Sequence, residues 1–275
     1  MTRVCALTVA GTDPTSGAGV QGDLRAFMAC GVHPLSVVAC ITAQGTRGVR
    51  AVFATPKKQV RAQLDALFAD VTPRAMKTGA LASVGAVSEV LRVLDQRPRL
   101  KCVVDPVIAS TSGAPLIDRR GLALMRTRLV PRATLVTPNA IELALLIDEP
   151  PDSLLEEADM IAGARRLIAA GARAVLAKGG HLRGPPVDLL VTKSDVHRWQ
   201  HARLRTQCTH GTGCTLSAAV TAHLALGKPL VEACALATTL VHEAIARATP
   251  IGVGKSPTEP RPTRLPRPPR RPSRR

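Results

Sequence analysis

Residues 4–31, VCALTVAGTDPTSGAGVQGDLRAFMACG, decide the fold class. A short apolar run over 4–10 has the character of a strand, and helical spacing takes over across 19–31. The loop between them is rich in Gly, Ser and Thr, residues that break regular structure and turn the chain. Strand, polar loop and helix in this order are the opening of a β-α-β unit.

The alternation continues outward. Strands are predicted at 35–43, 74–78, 101–105, 134–137 and 174–178. Helices are predicted at 57–70, 84–95, 119–128, 140–148 and 155–171. A hairpin over 187–206 and two helices, 214–226 and 230–248, close the ordered part. This is the pattern of an α/β protein with a mostly parallel, doubly wound central sheet and helices on both faces. With no repeat or linker inside 1–250, the expected organisation is one domain, 1–254, followed by a tail, 255–275.

Composition narrows the function. The chain has 275 residues with three Phe, one Trp and no Tyr, so its core must be built from Ala, Val and Leu. Aromatic scarcity also argues against reading single-stranded nucleic acid by base stacking. Seven scattered cysteines without a C-x-x-C pair fit neither a disulfide framework nor a zinc site, and a reducing cytoplasm is expected. No signal peptide is apparent, and no apolar run is long enough to span a bilayer.

The net charge of +17 is unevenly placed. Residues 255–275 hold eight basic residues, one acid and seven prolines, which leaves +10 on the other 254 residues. The tail is expected to be an extended, disordered basic segment. It is either a solvated terminus or a non-specific contact for polyanions.

Ligands of open α/β sheets sit outside the carboxyl ends of the strands. Polar motifs fall there repeatedly: Gly11 to Asp23, Gln44, Asp105, Asn139, and Lys178-Gly179-Gly180-His181. The stretch Thr209–Ala219, THGTGCTLSAA, adds two glycines at a predicted helix start, where unpaired backbone N–H groups can hold an anion. Cys214, at the positive end of that helix, is expected to have a lowered pKa. Anion cradle and polarised thiol together suggest phosphate chemistry. Gly17, Gly19 and Gly22 spell G-x-G-x-x-G, yet they begin six residues after the strand and lack the later acid that holds a ribose, so hydride transfer is set aside.

Several residues keep two readings. Asp105 is placed for a metal or a reacting hydroxyl, or for capping the next turn. Asn139 and Glu142 are spaced either as a capping box or as a magnesium–water pair. Lys178 either reaches a phosphate or closes a strand. His210, with no metal partner at ligand spacing, is read as a loop hydrogen-bonding residue.

With these residues assembled, the chain resembles the hydroxymethylpyrimidine and phosphomethylpyrimidine kinases of the ribokinase-like superfamily. The resemblance runs from about Cys5 to Gly254 through AGTDPTSGAGVQGDL, TAQGT, MKTGAL, VVDPV, LVTPNAIEL, LAKGGHL and THGTGCTLSAA. It implies a ribokinase-like fold and ATP-dependent phosphorylation of an aminopyrimidine and then of its monophosphate, with Mg2+. It further implies that Gly11, Asp23, Gln44, Ala80 and Val107 form the substrate pocket. Asp105, Asn139, Lys178 and Thr209 would serve the nucleotide, and Asp105 and Glu142 would organise magnesium through water. Gly211, Thr212, Gly213 and Cys214 would form the anion hole, with Cys214 as base. A homodimer paired through a sheet edge is also implied. The chain departs from the family at Ala80, usually Met, at Cys208, usually Asn, and after Gly254. Competing readings are a pyridoxal kinase of the same superfamily and a non-catalytic polyanion-binding protein using the tail.

Overall fold

The computed structural model describes residues 3–110, 113–180 and 185–262. His181 and residues 263–275 of the predicted tail lie outside them. Among the described residues nine strands form one sheet: β1 Cys5–Gly11, β2 His33–Gly45, β3 Gly48–Ala54, β4 Ala75–Thr78, β5 Lys101–Val104, β6 Leu135–Val136, β7 Val175–Lys178, β8 Val187–Val191 and β9 Val196–Gln200. Their spatial order is β3-β2-β1-β4-β5-β6-β7-β8-β9. The six strands from β2 to β7 in this order are parallel, and β3, β8 and β9 pair antiparallel at the two edges.

Eight α-helices cover both faces: α1 Gly19–Ala29, α2 Lys57–Asp70, α3 Val84–Gln96, α4 Arg119–Leu124, α5 Ala140–Leu146, α6 Glu157–Ala169, α7 Thr212–Ala225 and α8 Leu230–Arg247. Side-chain alternation sorts each strand between two cores. Leu7, Met76, Val104, Val136 and Val175 join the helices from α2 to α6 in one core. Ala6, Ala75, Val103, Leu135 and Leu176 meet α1, α7 and α8 in the other. Alanine dominates α7, so this helix lies close on the sheet and is buried on nearly every side.

The parallel, two-faced sheet is as the sequence predicts, and α2 has the predicted limits. Four details differ. β3 is unpredicted; it is an edge strand, half exposed, with little apolar alternation. The predicted helix 119–128 stops at Leu124 and widens into a π turn, Met125–Leu129. α7 begins at Thr212, two residues early, which puts Thr212, Gly213 and Cys214 in its first turn. The fourth difference lies just after Gly254. The segment after Gly254, expected to be extended tail, is packed as far as Glu259, with Ser256 and Thr258 fully buried. Backbone bonds hold it: Ser256 N–H donates to Gln207, Thr258 N–H to His210 and Glu259 N–H to Ala244. These bonds satisfy the polar groups that composition alone assigned to water.

The chain passes from β1 to β2 on one side and later to β4 on the other. Loops leaving β1 and β4 therefore diverge, and they open a crevice at the carboxyl edge of the sheet.

Candidate active site

Four segments meet in that crevice. The loop after β1 supplies Gly11 and Gly19, the end of β2 supplies Gln44, the turn after β4 supplies Ala80, and the start of α7 supplies the anion turn. Gly11 is held between Cys40 and Ala80; a side chain there would run into the Cys40 sulfur and come 3.7 Å from the Ala80 methyl. Gly211, the N-cap of α7, has φ 79° and faces the Gly17 carbonyl so closely that no Cβ would fit. Only glycine tolerates both constraints at once. The glycine loop and the anion turn are thus pressed together, backbone against backbone.

The first-turn amides of α7 have no intrahelical acceptor and can bind an anion. Lys178 sits beside them, with Nζ 3.0 Å from where a Cβ on Gly213 would be. Thr209 is exposed, and its carbonyl accepts a hydrogen bond of 2.7 Å from the Thr212 hydroxyl. Anion turn and lysine therefore lie side by side.

Beneath the turn runs a buried chain of alternating charge. Lys77 Nζ lies 2.6 Å from Asp23 Oδ1 and 3.9 Å from Asp105 Oδ2. Lys178 Nζ lies 2.9 Å from Asp105 Oδ1 and 3.6 Å from Glu142 Oε2. The geometry follows from the strands: Lys77, Asp105, Thr137 and Lys178 all project from the α1–α7 face of adjacent strands at their carboxyl ends. Sequence reasoning passed over Lys77, because a lysine inside a four-residue strand carries no local sign of its burial.

Two predicted site residues are committed to this chain. Asp23 is fully buried, and its second oxygen accepts from the Thr8 hydroxyl at 2.6 Å, so it faces Lys77 rather than a ligand surface. Asp105 is 1% exposed and accepts from Thr137, Lys178 and Ser217, which occupies both oxygens. It orients Lys178. Direct ligation of a metal is not open to it in this arrangement.

Asn139 and Glu142 form the capping box: Asn139 Oδ1 accepts from Glu142 N–H and Glu142 Oε2 from Asn139 N–H, both at 2.8 Å. Glu142 does more than cap. Burial pushes its carboxyl up to about 7, and Lys178 pulls the other way. A cation placed beside such a carboxyl would favour its ionised form.

Cys214 corrects an expectation. The helix start was expected to lower its pKa, yet burial of the thiol pushes it up to about 11. Lys77 and the Gly19 amide act in the opposite direction and are outweighed. Desolvation is a larger effect here than a helix terminus. Val107, half-buried, donates its N–H to the Asp105 carbonyl at 2.9 Å.

A family model of phosphomethylpyrimidine kinase matches residues 13–259. The hydroxymethylpyrimidine/phosphomethylpyrimidine kinase of Rhizobium meliloti (strain 1021) is 42% identical over 91% of this chain and 93% of its own. The thiamine biosynthesis bifunctional protein ThiED of Geobacter sulfurreducens is 42% identical over 93% of this chain, which spans 52% of its length. Among solved structures, the phosphomethylpyrimidine kinase of Clostridium difficile 630 aligns with TM-score 0.77 and 36% identity over 88% of this chain and all of that one. The ADP complex of Bacillus subtilis pyridoxal kinase aligns with TM-score 0.86 and 31% identity over 94% and 98%.

Proposed function

The chain belongs to the phosphomethylpyrimidine kinase family, and from that premise we propose how its residues carry out phosphoryl transfer. The protein is an ATP-dependent kinase that phosphorylates 4-amino-5-hydroxymethyl-2-methylpyrimidine and then its monophosphate, in thiamine biosynthesis. The observation that carries the site assignment is the anion turn, Gly211 to Cys214, set between the Gly11–Ala80 crevice and Lys178. We place the meeting of acceptor and phosphate donor at this turn.

Gly11, Gln44, Ala80 and Val107 line the acceptor side. Asn139, Lys178 and Thr209 serve the nucleotide side, and Glu142 would hold Mg2+. When bound, the cation would supply positive charge against the nucleotide phosphates. The amides of Thr212, Gly213 and Cys214 spread the remaining charge of the transferring group, a task that is mostly positioning and electrostatics. The substrate hydroxyl oxygen bonds to the γ-phosphorus, the bond to the bridging oxygen breaks, and ADP leaves. Cys214 is the base that takes the hydroxyl proton, a role that requires its thiolate; Lys77 and the Gly19 amide favour that charged form against the burial that disfavours it. In the second step the attacking oxygen belongs to a phosphate monoester that is mostly ionised above pH 7, so no proton has to be removed.

Two further readings belong here. Ile41 and Phe53 are cross-strand partners on the β2–β3 edge hairpin and stand 56% and 60% exposed, which supports a homodimer through this edge. No helix among the described residues is long and apolar enough to cross a membrane, and the free cysteines support a reducing cytoplasm.

The test is ADP release by purified protein with MgATP and, separately, hydroxymethylpyrimidine, its monophosphate and pyridoxal. Turnover on both pyrimidines is expected. Turnover on pyridoxal alone would replace the substrate by that of the neighbouring kinases while keeping the site.

A further inference from the structure

His210 occupies the joint where the two halves of the site touch. Its Nε2 is 2.7 Å from Asp13 Oδ2 and 3.1 Å from Gln44 Nε2, two nitrogens that cannot both donate to each other. Its ring packs on Gly17, where any side chain would collide with Cδ2. Its backbone is pinned from both sides by the C-terminal strap: His210 N–H donates to Ser256 at 3.0 Å, and Thr258 N–H donates to His210 at 3.1 Å. The strap also reaches the hairpin tip, where Gly254 N–H donates to the Thr46 hydroxyl and backbone meets backbone.

Asp13 is equally fixed. It is 1% exposed and accepts from the Thr15 amide and hydroxyl and from the Ala18 amide at 2.8–2.9 Å. A carboxylate is acceptor-only, so the Nε2 facing it must carry a proton. That nitrogen then has no lone pair for the Gln44 NH2, and the Gln44 carbonyl oxygen must be the atom turned toward His210. The NH2 turns the other way. Exchanging the amide's oxygen and nitrogen in this way puts the NH2 in the place of Oε1, 3.5 Å from the Thr42 hydroxyl, which can accept from it because it already donates to the Thr12 carbonyl at 2.7 Å.

We propose that His210 is a positioning residue that fixes the orientation of the Gln44 amide, so that Gln44 offers a donor to the acceptor substrate. The inference rests on the kinase reading, in which Gln44 lines the acceptor side. Orientation matters because a primary amide presents a donor or an acceptor with nearly the same shape, and only a neighbour decides which. Asp13 holds His210, His210 holds Gln44, and the strap keeps His210 in register with the anion turn.

The experiment measures KM for hydroxymethylpyrimidine, KM for ATP and kcat in wild type, His210→Ala, His210→Gln, Gln44→Ala and the His210/Gln44 double alanine variant. His210→Ala should raise KM for the pyrimidine by about 10-fold with KM for ATP within about 2-fold, a split that general loosening would not produce. His210→Gln keeps an N–H for Asp13 and should recover most of the loss. In the Gln44→Ala background the His210→Ala change should add less than about 2-fold. Equal rises in both KM values, or additive effects in the double variant, would overturn the proposal. Absence of pyrimidine turnover in wild type would overturn the kinase reading and this inference with it.

Discussion

Lys77 Nζ lies 2.6 Å from Asp23 Oδ1, and neither side chain has any exposed surface. The pair sits under the anion turn, where Lys77 also faces Asp105. It joins β4 to α1, two elements 54 residues apart at this contact, and it places a fixed positive charge below Cys214. Buried pairs stabilise little against apolar replacements, but breaking one leaves an uncompensated charge.

Lys77→Met is therefore expected to destabilise the protein by about 3–5 kcal/mol, because Asp23 remains buried and alone. The double variant Lys77→Met, Asp23→Asn should regain much of that loss and remain poorly active. Denaturant unfolding of the three proteins, with turnover at 25 °C or below, checks both statements.

Cys214→Ala separates the two phosphorylation steps. Removing a base should cut turnover on hydroxymethylpyrimidine by at least about 100-fold. The monophosphate brings an ionised oxygen to the attack, so its turnover should fall less, by about 10-fold or under above pH 7. Equal losses on both acceptors would mean that Cys214 positions the substrate and takes no proton.

Glu142 makes stability depend on pH. Its carboxyl titrates near 7 when folded and near 4.5 when unfolded. Between these values the folded state binds more protons, so the contribution of Glu142 to stability falls as pH rises from about 4.5 through about 7. Glu142→Gln should flatten that decline and raise Tm at pH 8 by a few degrees, roughly 1 kcal/mol in a domain of this size. The same substitution should weaken the Mg2+ dependence of turnover. A wild-type Tm slope retained in Glu142→Gln would remove this group as its source.

Phe53→Lys should leave the fold intact and turn a dimer into a monomer at micromolar concentration. Phe53 is 60% exposed, on the edge strand opposite Ile41. Sedimentation of wild type as a monomer would remove the dimer from the account.

Local periodicity was enough for the layered architecture, since β1, α1, α2 and the parallel strands carry long apolar patterns of one kind. It was not enough for β3, whose half-exposed residues show little alternation and pair along the second half of the 13-residue β2. The seven ordered motifs lie along the carboxyl edge of the sheet, where Gly11 neighbours Ala80 and Gly213 neighbours Lys178. What they could not show is depth. Asp23 and Asp105 have the residue type of ligand-binding groups, and only the position of Lys77 and Ser217 in space reveals that their oxygens are taken. The direction of the Cys214 shift failed for the same reason: a helix start is visible in sequence, whereas burial of a thiol is not. Ser256 and Thr258 are the converse case, polar residues in a proline-rich stretch that fold because backbone partners await them.

The most direct measurement is the mass of the product formed from hydroxymethylpyrimidine with excess MgATP, together with the count of ADP released. The account predicts the pyrimidine diphosphate, with two ADP formed for each pyrimidine consumed. An unmodified pyrimidine, with pyridoxal phosphate forming under the same conditions, would contradict it.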